Sequence, residues 1–203
     1  MSESALQVTD FQHGRVPRAV RERQLLELAE ELFAERGYAG ASMDELCRRA
    51  GVTKPVVYEL FGSKDGLFRA CLEGSASHLA RVITEAVHAQ SDPEAKLRAG
   101  GEAFLRFAAD HRVAWEVLFG TGEGRFAGEA DAIREQQASL LRGLLAETAA
   151  PGIDPRQLDA FAHAINGAYE ALGHWASDQP DLPLETLADW LVSLLAPGLR
   201  SFT

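Results

Sequence analysis

Apolar positions along this chain recur every three or four residues almost from end to end, and nowhere do they alternate in the period-two manner of a half-buried strand. The spacing predicts an all-α protein. A first helix is expected from about Arg18 to Arg36, with Leu25, Leu28, Ala29, Leu32 and Phe33 at i, i+3, i+4, i+7 and i+8, and with Gly37 as its left-handed cap. Two short helices follow between Ser42 and Lys64. Ser42 and Glu45 have the spacing of a capping box, in which each side chain satisfies a backbone N–H at the start of a helix. Met43, Leu46 and Cys47 then share one face, Ala50 and Gly51 suit a sharp turn, and Thr53 and Pro55 suit the opening of the next helix. In that next helix Val57 and Phe61 point inward, which leaves Lys54, Pro55, Val56, Tyr58 and Glu59 outward. A short helix anchored from behind and presenting a cation, a phenol and a branched methyl is one that a DNA major groove accepts.

The remaining elements are longer. Ser63 is expected to cap a helix from Lys64 to about Gln90 carrying Leu67, Phe68, Cys71, Leu72, Leu79 and Val82, a natural lever between two parts of a molecule. Asp92 and Pro93 open another, to about Asp110, with Leu97, Phe104, Leu105 and Phe107. A shorter one spans His111 to Phe119. The stretch from Gly120 to Gly128 is read as a loop; it lacks the Lys-Ser/Thr ending and the preceding strand of a phosphate-binding loop. A helix from about Glu129 to Ala149 is broken by Pro151 and Gly152. The last two helices are placed at Gln157 to Ser177 and Glu185 to Ala196, with Pro197 and Gly198 as the stop. The first of them carries a bulky stripe (Leu158, Phe161, Ile165, Tyr169, Leu172) and a small one (Ala160, Ala164, Gly167, Ala171). Such a pair either closes the core of one subunit or forms half of an intermolecular four-helix bundle.

The segment LAEELFAERGYAGASMDELCRRAGVTKPVVYELFGSKDGLF closely resembles the N-terminal domain of the TetR family of bacterial transcriptional repressors. The matching positions are Leu32, Phe33, Gly37, Tyr38, Ser42, Leu46, Ala50, Gly51, Val52, Tyr58, Phe61, Lys64 and Leu67, within roughly residues 20 to 70. Residues 1–17 show no periodicity and contain Gly14, Pro17 and scattered polar residues, which reads as a flexible arm. The resemblance implies a helix-turn-helix DNA-binding domain over 18–65 and a helical ligand-binding and dimerisation domain over 66–203, with subunits paired through the last two helices. It implies positioning contacts to phosphate from Ser42, Tyr58 and Lys64, a role Thr53 also fits. Among the residues of the reading helix, Lys54 is suited to guanine or phosphate and Val56 to a thymine methyl, with Pro55 beside them. This chain departs from the family pattern at Leu60, where many members carry His or Tyr, at Pro55, which replaces a common Gly, and at Glu59, which brings a carboxylate near the DNA face.

Charge at first opposes a DNA partner: 20 Lys and Arg stand against 30 Asp and Glu, a net of −10. The distribution changes that picture. Through Lys64 there are 9 basic and 10 acidic residues, so the acidity lies mostly beyond the helix-turn-helix and discourages unspecific adhesion. Arg15, Arg18, Arg21 and Arg23 stand near the junction of arm and first helix, suited either to DNA phosphates or to a solvated tail. Cys47 and Cys71 have no metal-like or CxxC spacing and read as buried thiols of a reducing cytosol. No run of about 20 apolar residues and no signal-peptide core is present, so a cytoplasmic protein with no membrane span is expected.

A small-molecule site is expected in the C-terminal part. Its candidate lining is Phe104, Phe107, Trp115, Phe119 and Tyr169, with His163, Asn166 and His78 as polar punctuation, a set suited to an apolar or aromatic ligand. Asp159–His163 and Glu170–His174 have i, i+4 spacing, which side-chain pairing explains more readily than a metal. No catalytic constellation, cofactor motif or metal site is found. The expected function is a ligand-responsive homodimeric regulator, a repressor on a palindromic double-stranded operator. A helical enzyme, or an interaction module keeping the helix-turn-helix as scaffold, are the rivals.

Overall fold

The computed structural model describes residues 16–119, 125–179 and 181–199. Among these the secondary structure is helical throughout: α1 Arg18–Gly40, α2 Met43–Ala50, α3 Lys54–Phe61, α4 Lys64–His88, α5 Pro93–Asp110, α6 Arg112–Phe119, α7 Ala127–Ala146, α8 Pro155–Ala176 and α9 Leu184–Leu199. The all-α expectation holds. Residues 1–15 of the arm and most of the 120–128 stretch lie outside the described residues; Ala127 and Gly128 begin α7. The chain divides into two compact units, one through Gly74 and one from Ser75, and the division falls within α4.

In the first unit α1 packs on α2 and α2 on α3. Leu25, Ala29, Leu32 and Phe33 of α1, Leu46 and Cys47 of α2, Val57 of α3, and Leu67, Phe68 and Cys71 of α4 are all buried. Gly37 departs from the expected left-handed cap. Its φ of 66 and ψ of 171 lie in a region essentially reserved for glycine, and a further turn follows to Gly40. That kink turns Tyr38 back against α4: its ring meets Phe68 edge-on at 5.0 Å and its hydroxyl donates to Asp65. The capping box is half made. Ser42 Oγ accepts from the Asp44 amide at 3.2 Å, but Glu45 turns away to Arg48 and Arg49, whose guanidiniums hold its carboxyl down at about 2. Arg49 also forks onto Glu35, tying α2 to α1.

In the second unit α7 packs on α8 and α6, while α5 packs on α9, α6 and α8. Asp92 caps α5 and Asp154 caps α8, each accepting from a backbone amide in the first turn. Arg98–Asp189 and Arg106–Glu185 join α5 to α9, and Arg142–Asp159 joins α7 to α8. Pro197 does not stop the last helix, which carries on to Leu199. The carbonyl that this proline leaves without an amide partner is that of Ser193, an exposed residue, so water can take it. On α8 the bulky stripe faces in at Leu158, Ile165 and Tyr169, and the small stripe faces out: Ala160, Ala164, Gly167 and Ala171 are exposed.

Candidate nucleic-acid interface and effector cavity

The presentation of α3 follows from three local choices. Gly51, at φ 64 and ψ 34, is the left-handed residue that ends α2, and its neighbour Val52 returns an amide to the Cys47 carbonyl. Thr53 occupies the N-cap position of α3 with extended backbone, yet its hydroxyl makes no capping bond. Pro55 in the first turn needs no amide partner. Val57, fully buried, then pins the helix from behind.

What remains outward is a small, mixed polar surface. Thr53, Lys54, Pro55 and Glu59 are exposed, Val56 is half-buried, and the Tyr58 ring is 45% exposed despite its size. Ser42, also exposed, opens α2, and its oxygen is engaged as the cap. The Lys64 ammonium sits 4.6 Å from the centre of the Tyr38 ring and 3.4 Å from the Ala39 carbonyl. The Lys54 ammonium is held by Asp44 Oδ1 at 2.6 Å, and that carboxylate raises its affinity for the proton. Asp44 therefore touches both Ser42 and Lys54, its amide donating to Ser42 at the start of α2 and its carboxylate holding Lys54 of α3. The residue types of the reading helix are legible in the sequence; the carboxylate that holds its one lysine is not, because the pairing crosses from α2 to α3.

The second unit contains a cavity of about 110 Å³. Its wall is drawn from α4 (Ile83, Val87), α5 (Leu97, Gly100, Gly101, Phe104), α7 (Gln137, Leu140, Leu141, Leu144, Leu145), α8 (Ile165, Asn166, Tyr169) and α9 (Ala196), with Pro93, Glu94, Lys96 and Thr148 beside them. Gly101 is required for this shape: a Cβ there would lie 2.0 Å from the Tyr169 hydroxyl, which donates to the Leu97 carbonyl at 3.3 Å. Burial pushes the Tyr169 hydroxyl well above the usual phenol range, so it stays a neutral donor.

Of the aromatic and polar residues singled out in the sequence, Phe104, Asn166 and Tyr169 stand in this wall. The others are placed elsewhere. Phe107 stacks on His111 at 4.7 Å, near His78. Trp115 meets Phe104 edge-on at 5.3 Å and packs against Gly173 and His174. His163 is exposed on α8, and the Phe119 side chain lies outside the described residues. The bulk of the wall is aliphatic, contributed by paired leucines on α7 that sequence reasoning did not select. Among the described residues no group of three or more His, Cys, Asp or Glu is placed to hold a metal, and no helix is long and apolar enough to cross a membrane. Burial pushes the Cys71 thiol up to about 12, which makes it a poor redox centre.

A helix-turn-helix with an outward second helix, together with a helical unit that holds an apolar cavity, is an arrangement suited to a DNA-binding transcriptional regulator. Comparison with known proteins narrows this. Residues 25–71 match the pattern of bacterial regulatory proteins of the tetR family, and residues 93–198 match a tetracyclin repressor-like C-terminal domain. The chain belongs to the TetR family of transcriptional regulators. Its relatives include the HTH-type transcriptional activator FasR of Mycolicibacterium smegmatis, 40% identical over 106 residues, a match covering 52% of this chain and 48% of that protein. The match thus spans about half the length of FasR. The HTH-type transcriptional regulator EthR of Mycobacterium tuberculosis is 26% identical over 187 residues, 86% of this chain and 84% of EthR. A crystal structure of a TetR-like regulator from Rhodococcus sp. RHA1 is 32% identical with a TM-score of 0.67, covering 92% of this chain and 99% of that one. These relatives are regulators, not enzymes.

Proposed function

We propose that this protein is a ligand-released repressor of the bacterial cytoplasm that binds a palindromic operator as a homodimer. Residues 18–65 serve as the reading domain, and residues 66–203 as the effector-binding and pairing domain. The observation that carries the reading is the outward surface of α3, with an uncommitted Thr53 hydroxyl, a half-exposed Tyr58 and a half-buried Val56 in front of a buried Val57. Ser42, Thr53, Tyr58 and Lys64 position the duplex through phosphate, and Lys54, Pro55 and Val56 face the bases. An apolar effector in the cavity favours a state with a different separation of the two reading helices, and shifts the equilibrium by its difference in affinity for the two states. The name of the FasR relative supports one other reading, activation from the same binding site. Selection of a preferred duplex from random DNA, followed by a reporter carrying that site upstream of or across a promoter, tests both. Absence of any selected sequence, with binding insensitive to salt, sinks the DNA-reading proposal.

Two substitutions probe the reading surface. Val56→Ala is expected to relax preference at one base pair in each half-site while leaving overall affinity within a few-fold; an unchanged preference profile from a randomised duplex library argues against a thymine contact. Asp44→Asn frees the Lys54 ammonium and removes a carboxylate from the phosphate-facing side. It is expected to raise affinity for any duplex on the order of two- to fivefold at low salt, the scale of an exposed ion pair. Equal or weaker binding in fluorescence anisotropy means that Asp44 lies away from the DNA.

A further inference from the structure

Gln137 is unlike the rest of the cavity wall. It is 4% exposed, and among the described residues only Ser75 shares its standing as a buried polar side chain. Its carboxamide nitrogen donates to the carbonyl of Ala76 on α4, 3.4 Å away. A backbone carbonyl only accepts, so this bond fixes the orientation of the group, with the nitrogen toward α4 and the oxygen on the other side. No donor among the described residues meets that oxygen. Yet no fully enclosed side-chain nitrogen or oxygen among them lacks a hydrogen bond. The oxygen of Gln137 therefore is not fully enclosed, and Gln137 is one of the residues that border the cavity. Buried acceptors are paired in the great majority of native structures. An acceptor set in a wall of Leu140, Leu141, Leu144 and Ile165 marks the place where an occupant brings a donor.

We propose that the effector is a mainly aliphatic molecule carrying a hydroxyl or N–H donor, and that the Gln137 oxygen receives that donor. This rests on the cavity being the effector site. The volume suits a ligand of on the order of ten heavy atoms, counting one water-sized sphere per 10–15 Å³. An ionised carboxylate is the wrong partner for this point, because it brings no proton and would face the amide oxygen across an apolar space.

The test uses the full chain and two isomers, 1-octanol and 1-methoxyheptane, which have the same atoms and differ in that only the alcohol donates. Binding is read as the concentration-dependent rise in melting temperature. The alcohol is expected to bind about five- to tenfold more tightly, the scale of one net hydrogen bond, although the ether leaves water more readily. Octanoate is expected to bind more weakly than the alcohol. In Gln137→Leu, and in the closer-fitting Gln137→Met, the two isomers should bind alike. Equal binding of both isomers to the unaltered protein, or a preference that survives Gln137→Leu, overturns the role of Gln137 and leaves the cavity reading standing. If neither isomer shifts the melting temperature up to its solubility limit, the cavity reading falls and takes this assignment with it.

Discussion

Phe68→Ala is expected to abolish DNA binding by melting the first unit. Phe68 is 2% exposed and is the hub of that unit's aromatic cluster, edge-on to Phe33 at 4.7 Å and to Tyr38 at 5.0 Å. Truncating a buried phenylalanine costs about 3–5 kcal/mol in lost transfer energy and the cavity left behind. A unit of this size has roughly 3–9 kcal/mol of stability in total, on the usual per-residue scale. The substitution thus removes a large fraction of it, and a melting temperature lower by roughly 15–30 °C is expected for a domain of this length. Amide exchange in α1 and in the first turns of α4 should rise together, because Phe33 and Tyr38 lose the same partner. Phe68→Leu, which keeps most of the volume, should retain binding. A Phe68→Ala protein that melts within a few degrees of the original places the core of this unit elsewhere.

Trp190→Glu should convert the proposed dimer to monomers. On α9, Trp190 is 55% exposed and Leu194 74%, one turn apart, and on α8 Trp175 is 48% exposed near the end of the small-residue stripe. Large apolar side chains exposed one turn apart on a helix suit an interaction face, and small residues on the neighbouring helix let a second backbone approach closely. A carboxylate at the centre of such a face would be buried without a partner on each side of a two-fold contact. Sedimentation should report the single-chain mass of 22.0 kDa. Affinity for a two-half-site duplex should fall by about 10²–10⁴, the contribution of linked binding, while single half-sites bind as before. A Trp190→Glu protein that remains dimeric and keeps its operator affinity sinks pairing through α9.

The helix-turn-helix was legible in the sequence because its signals are local. Ser42, Gly51, Pro55 and Ser63 each act within a few residues of where they stand, and each does what its chemistry suggests: Ser63 Oγ accepts from the Gly66 amide as a cap, and Gly51 takes the left-handed turn. Where a local signal has a competitor, the stronger partner decides the structure. Glu45 was free to close a capping box, but two guanidiniums within its own helix outbid one amide. The cavity was far less legible, since its wall comes from five helices and depends on how they meet. Aromatic residues drew notice, but Phe107 and Trp115 pack chiefly against other side chains. Leu140, Leu141, Leu144 and Leu145 read as an ordinary inward face. Gln137 ends the polar run that begins Arg134–Glu135–Gln136 and looks like surface there; only its spacing four after Ile133 hints that it faces in.

The carboxylate partners of Lys54, Arg48 and Arg49 bear on how such a molecule is shared out across a chromosome. A genome offers about 10⁶–10⁹ wrong addresses, and every unmatched cation lengthens the stay at each of them. A reader whose basic groups are already matched lets go of random sequence quickly, so fewer copies are idle at any moment. A small population can then keep its true addresses filled, and can vacate them promptly when conditions change.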